Sequence, residues 1–297
     1  KEIPKSLVVV GSGAIGIEFA SFYSTFGSKV TVIEAMNQIM PVEDKEISDI
    51  AHKAMKKRGV DFKLSTKVTE FKRAKDHVTV CLEQNGKSEN LVVEQVITAV
   101  GVVPNTENIG LELAGISLDK RGFIAINGFC QTSVSGIYAI GDVAGAPCLA
   151  HKASHEAMIC VDKIAGLQDV HALDKSMIPG CTYGFPQVAS IGLTEQKAVQ
   201  QGLKIKVGKF PFQANGKAIA QGDTDGLVKV IFDDTTGELL GAHMVGNDVT
   251  ELIQGFAVAK TMETTEDELI HTIFPHPTLS EMMHESVLDA YQRAIHI

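Results

Sequence analysis

Cysteine is sparse and dispersed in this 297-residue sequence: Cys81, Cys130, Cys148, Cys160 and Cys181 never fall in a CxxC or similarly close pair. That spacing encodes neither a zinc site nor a local redox disulfide, and it points to buried thiols in a reducing compartment. Long apolar runs are lacking too: none approaches the ~20 residues that cross a bilayer, so no membrane is expected as a partner. Positive charge is in deficit, with 27 Lys and Arg against 36 Asp and Glu for a formal net charge of −9. This argues against a nucleic-acid partner, which would call for a basic face. The cluster Lys56-Lys57-Arg58 reads instead as a helix C-terminus, where cations meet the negative end of the dipole and Gly59 stops the helix. The sequence has no fixed-period repeat and no low-complexity stretch. An initiator Met is missing, and the linker-like opening Lys1-Glu2-Ile3-Pro4-Lys5 leads directly into a strand. The chain is therefore expected to be the middle of a longer polypeptide, and the absence of a targeting signal then carries no information.

What is present is most informative over residues 7–34. A β-type run, Leu7-Val8-Val9-Val10, turns through Gly11-Ser12-Gly13-Ala14-Ile15-Gly16 into a helical pattern, and a second strand, Lys29-Val30-Thr31-Val32-Ile33, ends on Glu34. This reads as a βαβ unit that binds a dinucleotide. Gly11 allows the tight turn, Gly13 lets backbone N–H groups approach a pyrophosphate at the helix N-terminus, and Gly16 lets the helix lie close to the strand. A carboxylate ending the second strand accepts hydrogen bonds from the ribose hydroxyls of NAD and repels the 2′-phosphate of NADP. No Arg or Lys between Glu34 and Pro41 would welcome that phosphate. Glu43 and Glu46, in the polar opening of the next helix, are expected to be solvated.

The length allows about two domains, each with its own core. An amphipathic helix is expected near residues 44–58, followed by short strands at 60–64, 68–71 and 78–82. Asn85-Gly86 then turns the last of these into Leu91-Val92-Val93 as a hairpin. The buried strand Val96-Ile97-Thr98-Ala99-Val100 meets Gly101 at the edge of a ligand crevice. A second glycine-marked strand, Ile137-Tyr138-Ala139-Ile140, precedes Gly141-Asp142, a helix is expected over 149–164, and 166–179 resembles a linker. From Pro186 onward the pattern becomes strand, helix, several strands, then helices. An antiparallel pair forms around Asp233-Asp234-Thr235-Thr236-Gly237-Glu238, which suits a separate α+β domain.

Two further segments carry chemistry. Gly141-Asp142 could deliver a carboxylate to a sugar-alcohol hydroxyl, or simply finish a strand in a turn. His276-Pro277-Thr278-Leu279-Ser280-Glu281 could hold an acid/base dyad, because histidine exchanges a proton near neutral pH and a carboxylate can fix its tautomer. Thr278 and Glu281 also form a capping box, opening a helix whose apolar face is Leu279, Met282, Met283, Val287, Leu288 and Tyr291. The residues alone leave both readings open. His52, His77 and His171 have no partner spacing that argues for a metal, and none is expected.

Taken in this order and over essentially all 297 residues, these segments resemble the pyridine nucleotide-disulfide oxidoreductases, and among them the members that oxidise dihydrolipoamide. The resemblance rests on Val10 to Glu18, Val32-Ile33-Glu34, Thr66-Lys67-Val68, Val100-Gly101, Ile137 to Asp142, Leu149-Ala150-His151-Lys152-Ala153 and His276 to Glu281. It implies an α/β fold with a Rossmann-like NAD domain at residues 1–122. A fragment of the central region that contacts FAD follows at 123–175, and a C-terminal α+β dimerisation domain at 176–297. It also implies that electrons pass from protein-bound dihydrolipoamide through a cysteine pair and FAD to NAD. Gly11, Gly13, Ala14, Ile15, Gly16, Glu18, Glu34, Val68 and Gly101 would line the NAD site, with Glu18 near the nicotinamide end. Asp142 would hold the flavin's ribityl chain, and Cys148, Leu149, Ala150 and His151 would run beside the isoalloxazine.

By the same resemblance His276 would take a proton from the dithiol, oriented by Glu281, and would complete the active site of a partner subunit in a homodimer. Lipoyl domains of 2-oxo-acid dehydrogenase complexes would be partners, in a bacterial cytoplasm or a mitochondrial matrix. The peptide before Pro277 would be cis. The family's N-terminal FAD domain, with its own glycine fingerprint and CxxxxC disulfide, is not in this sequence, so these residues are expected to bind NAD and dimerise without oxidising dihydrolipoamide. Phe274 stands where many members place another histidine. Relatives resembling glutathione reductase are disfavoured by Glu34, and those resembling mercuric reductase by the ending Arg293-Ala294-Ile295-His296-Ile297, which lacks a cysteine pair. A catalytically silent NAD-binding or scaffold module is the remaining alternative, and the His276 and Glu281 pair argues against it.

Overall fold

Valine and isoleucine runs form the strands, and glycines close the turns between them. The structure is a computed structural model describing residues 2–297; Lys1, the first residue of the linker-like opening, lies outside the described residues. The first hundred residues form β1 (Ser6–Val10), α1 (Ala14–Thr25), β2 (Lys29–Ile33), α2 (Lys45–Lys57), β3 (Asp61–Lys63), β4 (Lys67–Arg73), β5 (Val78–Gln84), β6 (Lys87–Val93) and β7 (Gln95–Thr98). A parallel sheet runs β3-β2-β1-β7, with Ser6 opposite Lys29 through Val10 opposite Ile33. Strands β4, β5 and β6 form a separate antiparallel sheet. Its Asn85-Gly86 turn has φ of 51° and 74°, the pair of left-handed residues a two-residue hairpin loop demands. Helix α2 starts on the Asp44 cap and ends in Lys56 and Lys57, as its charge pattern predicts.

Residues 101–178 form their own compact unit, while 1–100 and 179–297 together form the other. The smaller unit holds α3 (Ala150–Ile164) and a core of Ile124, Ala139 and Ala144. The strand expected at 137–140 is reduced to a single bridge between Gln131 and Tyr138. Thr132 N donates to Ile137 O at 3.0 Å and Ala139 N to Cys130 O at 2.9 Å, so this segment folds back on itself too tightly to extend a ladder.

The C-terminal segment forms β8 (Gly180–Thr182), β9 (Gln187–Gly192), α4 (Glu195–Gln200), β10 (Ile205–Pro211), α5 (Gly216–Gln221), β11 (Leu227–Asp233), β12 (Leu239–Gly246), α6 (Val249–Thr261), α7 (Glu266–His271) and α8 (Glu281–Ala290). Its antiparallel sheet has the order β10-β11-β12-β9-β8. Phe210, Val228, Val230, Met244 and Phe256 fill one core with Met282 and Val287 of α8. Val188, Leu227 and Val245 pack instead with Leu7, Val9, Val30 and Val32, so the parallel sheet and the C-terminal sheet share buried surface.

Helix α8 lies so close to β10 that a Cβ at Gly208 would fall 2.6 Å from Ala290 N, with Ser286 O nearer still. Gly208→Ala is therefore expected to cost about 1–3 kcal/mol in urea denaturation by forcing the helix off the strand. Gly216→Ala, whose Cβ enters open space, should change stability by no more than about 0.5 kcal/mol.

Candidate functional site

Strands β1 and β2 bring their C-terminal ends side by side, and the glycine turn and Glu34 meet there. A Cβ on Gly11 would collide with Ala99 O, and one on Gly16 with Gly11 O, whereas the space beside Gly13 is open. Two glycines thus permit close packing and the third leaves room for a ligand's approach. Gly13 caps α1 without a side-chain acceptor, so the first-turn amides of Ala14, Ile15 and Gly16 are not served by a side-chain cap. Glu34 is 9% exposed. Its Oε2 accepts Ser12 N at 2.9 Å and Ser12 Oγ at 2.6 Å, and Oε1 accepts Met36 N at 2.8 Å. Carboxylate oxygens accept hydrogen bonds, which is what a ribose diol requires.

The other expected nucleotide residues are distributed differently. Val68 lies on β4 and packs with Val8, Ile33, Val80 and Leu82. Glu18 projects from α1 to accept Tyr183 N at 2.8 Å, which ties the helix to the C-terminal segment. Gly101 has φ of 121° and opens the smaller unit.

In that smaller unit Gly141, with φ of 77°, precedes Asp142 at the head of a short 3₁₀ turn. The turn is fixed by residues the motif did not reveal. Lys152 Nζ donates to Gly141 O at 3.1 Å and Gly145 O at 2.8 Å and pairs with Glu156 at 2.9 Å, while Glu156 Oε2 accepts Gly141 N at 2.7 Å. Both side chains are almost fully buried. The available signal was an i,i+4 Lys/Glu pair, which ordinarily marks a solvated helix face. Leu149, Ala150 and His151 form the start of α3, directly after Cys148. Burial, with the Glu156 carboxylate beside it, pushes the Cys130 thiol up to about 11, and burial also raises Cys181. Neither is a ready thiolate at neutral pH.

At the C-terminal end, the His276–Pro277 peptide is cis, as expected. His276 Nδ1 lies 2.9 Å from Glu281 Oε1, and Thr278 N donates to Glu281 Oε2 at 2.8 Å. Glu281 thus bonds the histidine and a main-chain N–H at once. The capping box is only half formed: Thr278 Oγ1 donates to Pro275 O at 2.7 Å and α8 begins at Glu281 behind Ser280. Desolvation raises the Glu281 pKa, but the Thr278 N–H and His276 outweigh it and hold the carboxyl below its ordinary value of 4.5. An ionised Glu281 can only accept, so His276 Nδ1 donates in this hydrogen bond and Nε2 faces away from the carboxylate. Phe274 packs against His284 with ring centroids 5.4 Å apart.

One expectation about acidic residues is corrected, and the second residue, Glu46, gains partners while its side chain stays 37% exposed. Glu43 is not solvated: its Oε2 is buried without a partner, and desolvation raises its pKa. Glu46 pairs with Lys209 at 2.8 Å and Lys229 at 3.1 Å. The C-terminal sheet packs over the start of α2, and a local helix pattern cannot show that.

Among known proteins, the profile of the pyridine nucleotide-disulphide oxidoreductases matches residues 1–157, and the profile of their dimerisation domain matches residues 178–287. The chain belongs to the pyridine nucleotide-disulphide oxidoreductase family, and its mixed α/β fold, with parallel and antiparallel sheets, is that of the flavoprotein disulfide reductases. The dihydrolipoyl dehydrogenase of Rhizobium etli is 60% identical over 294 residues, covering 99% of this chain and 61% of that protein. The dihydrolipoyl dehydrogenase of Zymomonas mobilis is 58% identical over 295 residues, covering 99% and 63%. Among solved structures, LpdA of Mycobacterium tuberculosis superposes with a TM-score of 0.89 at 27% identity, covering 96% of this chain and 61% of that one. The HOCl-induced flavoprotein disulfide reductase RclA of Escherichia coli gives 0.88 at 30% identity, covering 97% and 65%. The chain thus spans about three-fifths of the length of the curated relatives it matches.

Because Glu281 is held below its ordinary pKa of 4.5, its charge stabilises the fold above that pH, and the contribution disappears as pH falls through the lowered native value. Urea midpoints of the protein and of Glu281→Gln should therefore differ by a constant amount above about pH 5 and converge on acidification below about pH 4. A gap that persists at low pH would mean that the carboxylate's charge is not what stabilises this corner.

Proposed function

We propose that this chain is the NAD-binding and subunit-interface portion of a dihydrolipoyl dehydrogenase. Its NAD domain covers residues 1–122, its FAD-contacting region 123–175 and its dimerisation domain 176–297. The observation that carries the NAD assignment is the pairing of an open glycine turn with the buried Glu34 carboxylate. Gly13, Ala14, Ile15 and Gly16 receive the pyrophosphate on main-chain N–H groups, Gly11 shapes the turn while giving its own N–H to Ile33 O, and Glu34 accepts the adenosine ribose hydroxyls. Ser12 Oγ then yields its place on Glu34 Oε2 to the diol, while the Ser12 N–H keeps the carboxylate in place. Glu18 and Val68 extend the site toward the nicotinamide.

The residues also fit a flavin at the smaller unit. Asp142 is an acceptor on a turn braced by the buried Lys152 and Glu156 pair, suited to the ribityl hydroxyls, with Cys148, Leu149, Ala150 and His151 alongside the ring. FAD, when bound, supplies the relay of electrons between NAD and a redox cysteine pair. Within this chain His276 Nε2 accepts the proton of the dithiol, Nδ1 remains donated to Glu281, and that carboxylate stabilises the imidazolium that forms. The match of residues 178–287 to a dimerisation domain supports a homodimer through this segment. Lipoyl domains of 2-oxo-acid dehydrogenase complexes are the partners that present the dithiol.

The five cysteines are free and include no close pair. Alone, the chain therefore binds NAD and dimerises but does not oxidise dihydrolipoamide. Titration calorimetry should give NADH binding at least tenfold tighter than NADPH binding, and Glu34→Ala should weaken NADH by about 10- to 100-fold, the loss of a charge-assisted hydrogen-bond acceptor. Equal affinity for the two nucleotides would overturn the assignment of Glu34. Lipoamide-dependent NADH turnover by the chain would overturn its inactivity.

A further inference from the structure

Lys229 takes no part in the chemistry above, yet its side chain is buried in the middle of a sheet at 2% exposure. The register places Lys209, Lys229, His243 and Ser190 side by side across β10, β11, β12 and β9, a polar rung through an otherwise apolar sheet. Carboxylates from two segments converge on it. Lys229 Nζ lies 2.9 Å from Asp44 Oδ1, 3.1 Å from Glu46 Oε2 and 2.6 Å from Glu195 Oε2. Burial alone would lower the lysine's pKa, but these partners raise it, and Asp44 is held low in turn. The rung thus keeps a full charge pair out of water. Such pairs are poor stabilisers compared with apolar side chains of similar volume, so what this one does for the geometry matters more.

Asp44 ends the segment that begins just after Glu34, and main-chain bonds connect the two. Ser48 Oγ donates to Ile39 O at 2.5 Å, and Ser48 N donates to Asp44 O at 2.9 Å. Met40 N donates to Ser12 O at 2.9 Å from a left-handed φ of 42°. Ser12 in turn gives both N–H and Oγ to Glu34, whose other oxygen takes Met36 N. Residues 35–44 are therefore held at one end by the glycine turn and at the other by Lys229.

We propose that the buried Lys229–Asp44 pair is a positioning device for the adenosine end of the dinucleotide. It locks residues 35–44 so that Met40 holds Ser12 and Ser12 holds Glu34 in the geometry that receives the ribose. The C-terminal sheet thereby sets the affinity of the nucleotide site. This rests on the reading of Glu34 as the ribose acceptor.

The test uses Lys229→Met and Asp44→Asn in the 297-residue chain, at a temperature where both retain native circular dichroism. ADP-ribose affinity is measured by calorimetry and amide exchange at Met36 and Met40 by NMR. Lys229→Met should weaken ADP-ribose at least tenfold and speed exchange at Met40 at least tenfold, with Val9 and Val32 still protected. Asp44→Asn keeps the helix cap and leaves Lys229 two carboxylates, so it should fold and shift both readouts about threefold in the same direction. A lower melting temperature with unchanged affinity and unchanged Met40 exchange would overturn the proposal and leave a purely structural ion pair. Faster Met40 exchange with unchanged affinity would also overturn it, because the segment would then be linked but not positioning. If the unsubstituted chain fails to bind ADP-ribose, the nucleotide reading itself falls and the positioning role falls with it.

Discussion

One device recurs at four places in this chain: a carboxylate, partly or wholly out of water, with one oxygen accepting a main-chain N–H and the other facing a second partner. Glu34 gives Oε1 to Met36 N and Oε2 to Ser12. Glu281 gives Oε2 to Thr278 N and Oε1 to His276. Glu156 divides itself between Gly141 N and Lys152, and Asp44 between Glu195 N and Lys229. Backbone amides fix the plane of the carboxylate, so that the second oxygen is aimed. In Glu281 the two oxygens serve the main-chain N–H and the histidine separately, so one carboxylate makes both contacts.

The βαβ unit was legible in the sequence because its requirements are local. The change from a strand run to a helical pattern, the spacing of Gly11, Gly13 and Gly16, and an acid at the end of β2 are all set within 28 residues, and the close contacts at Gly11 and Gly16 show why Cβ atoms are excluded there. His276 and Glu281, five residues apart, were legible as a pair in the same way. Of the apolar face expected from periodicity, Met282, Met283, Val287 and Leu288 lie on α8 and are buried, whereas Leu279 precedes the helix and Tyr291 is its half-buried C-cap.

What escaped sequence reasoning depends on contacts between distant segments. Lys229 sits in Leu-Val-Lys-Val-Ile-Phe with nothing nearby to signal that Asp44, 185 residues away, is its partner. Glu43 and Glu46 looked like the polar start of an ordinary helix, because the sheet that desolvates Glu43 and supplies the lysine partners of Glu46 lies far along the chain. Lys152 and Glu156 resemble a surface pair until the Gly141 turn is placed against them. The strand expected at residues 137–140 failed for a different reason: a tight local turn competed for its backbone groups.

The central claim is that Glu34 and the glycine turn receive a dinucleotide. A crystal structure of the chain with ADP-ribose tests it most directly. The account predicts the pyrophosphate over the first-turn amides of Ala14 and Ile15 and a ribose hydroxyl donating to Glu34 Oε2, with Ser12 Oγ displaced from that oxygen. Nucleotide bound elsewhere, with Glu34 still closed onto Ser12, would contradict it.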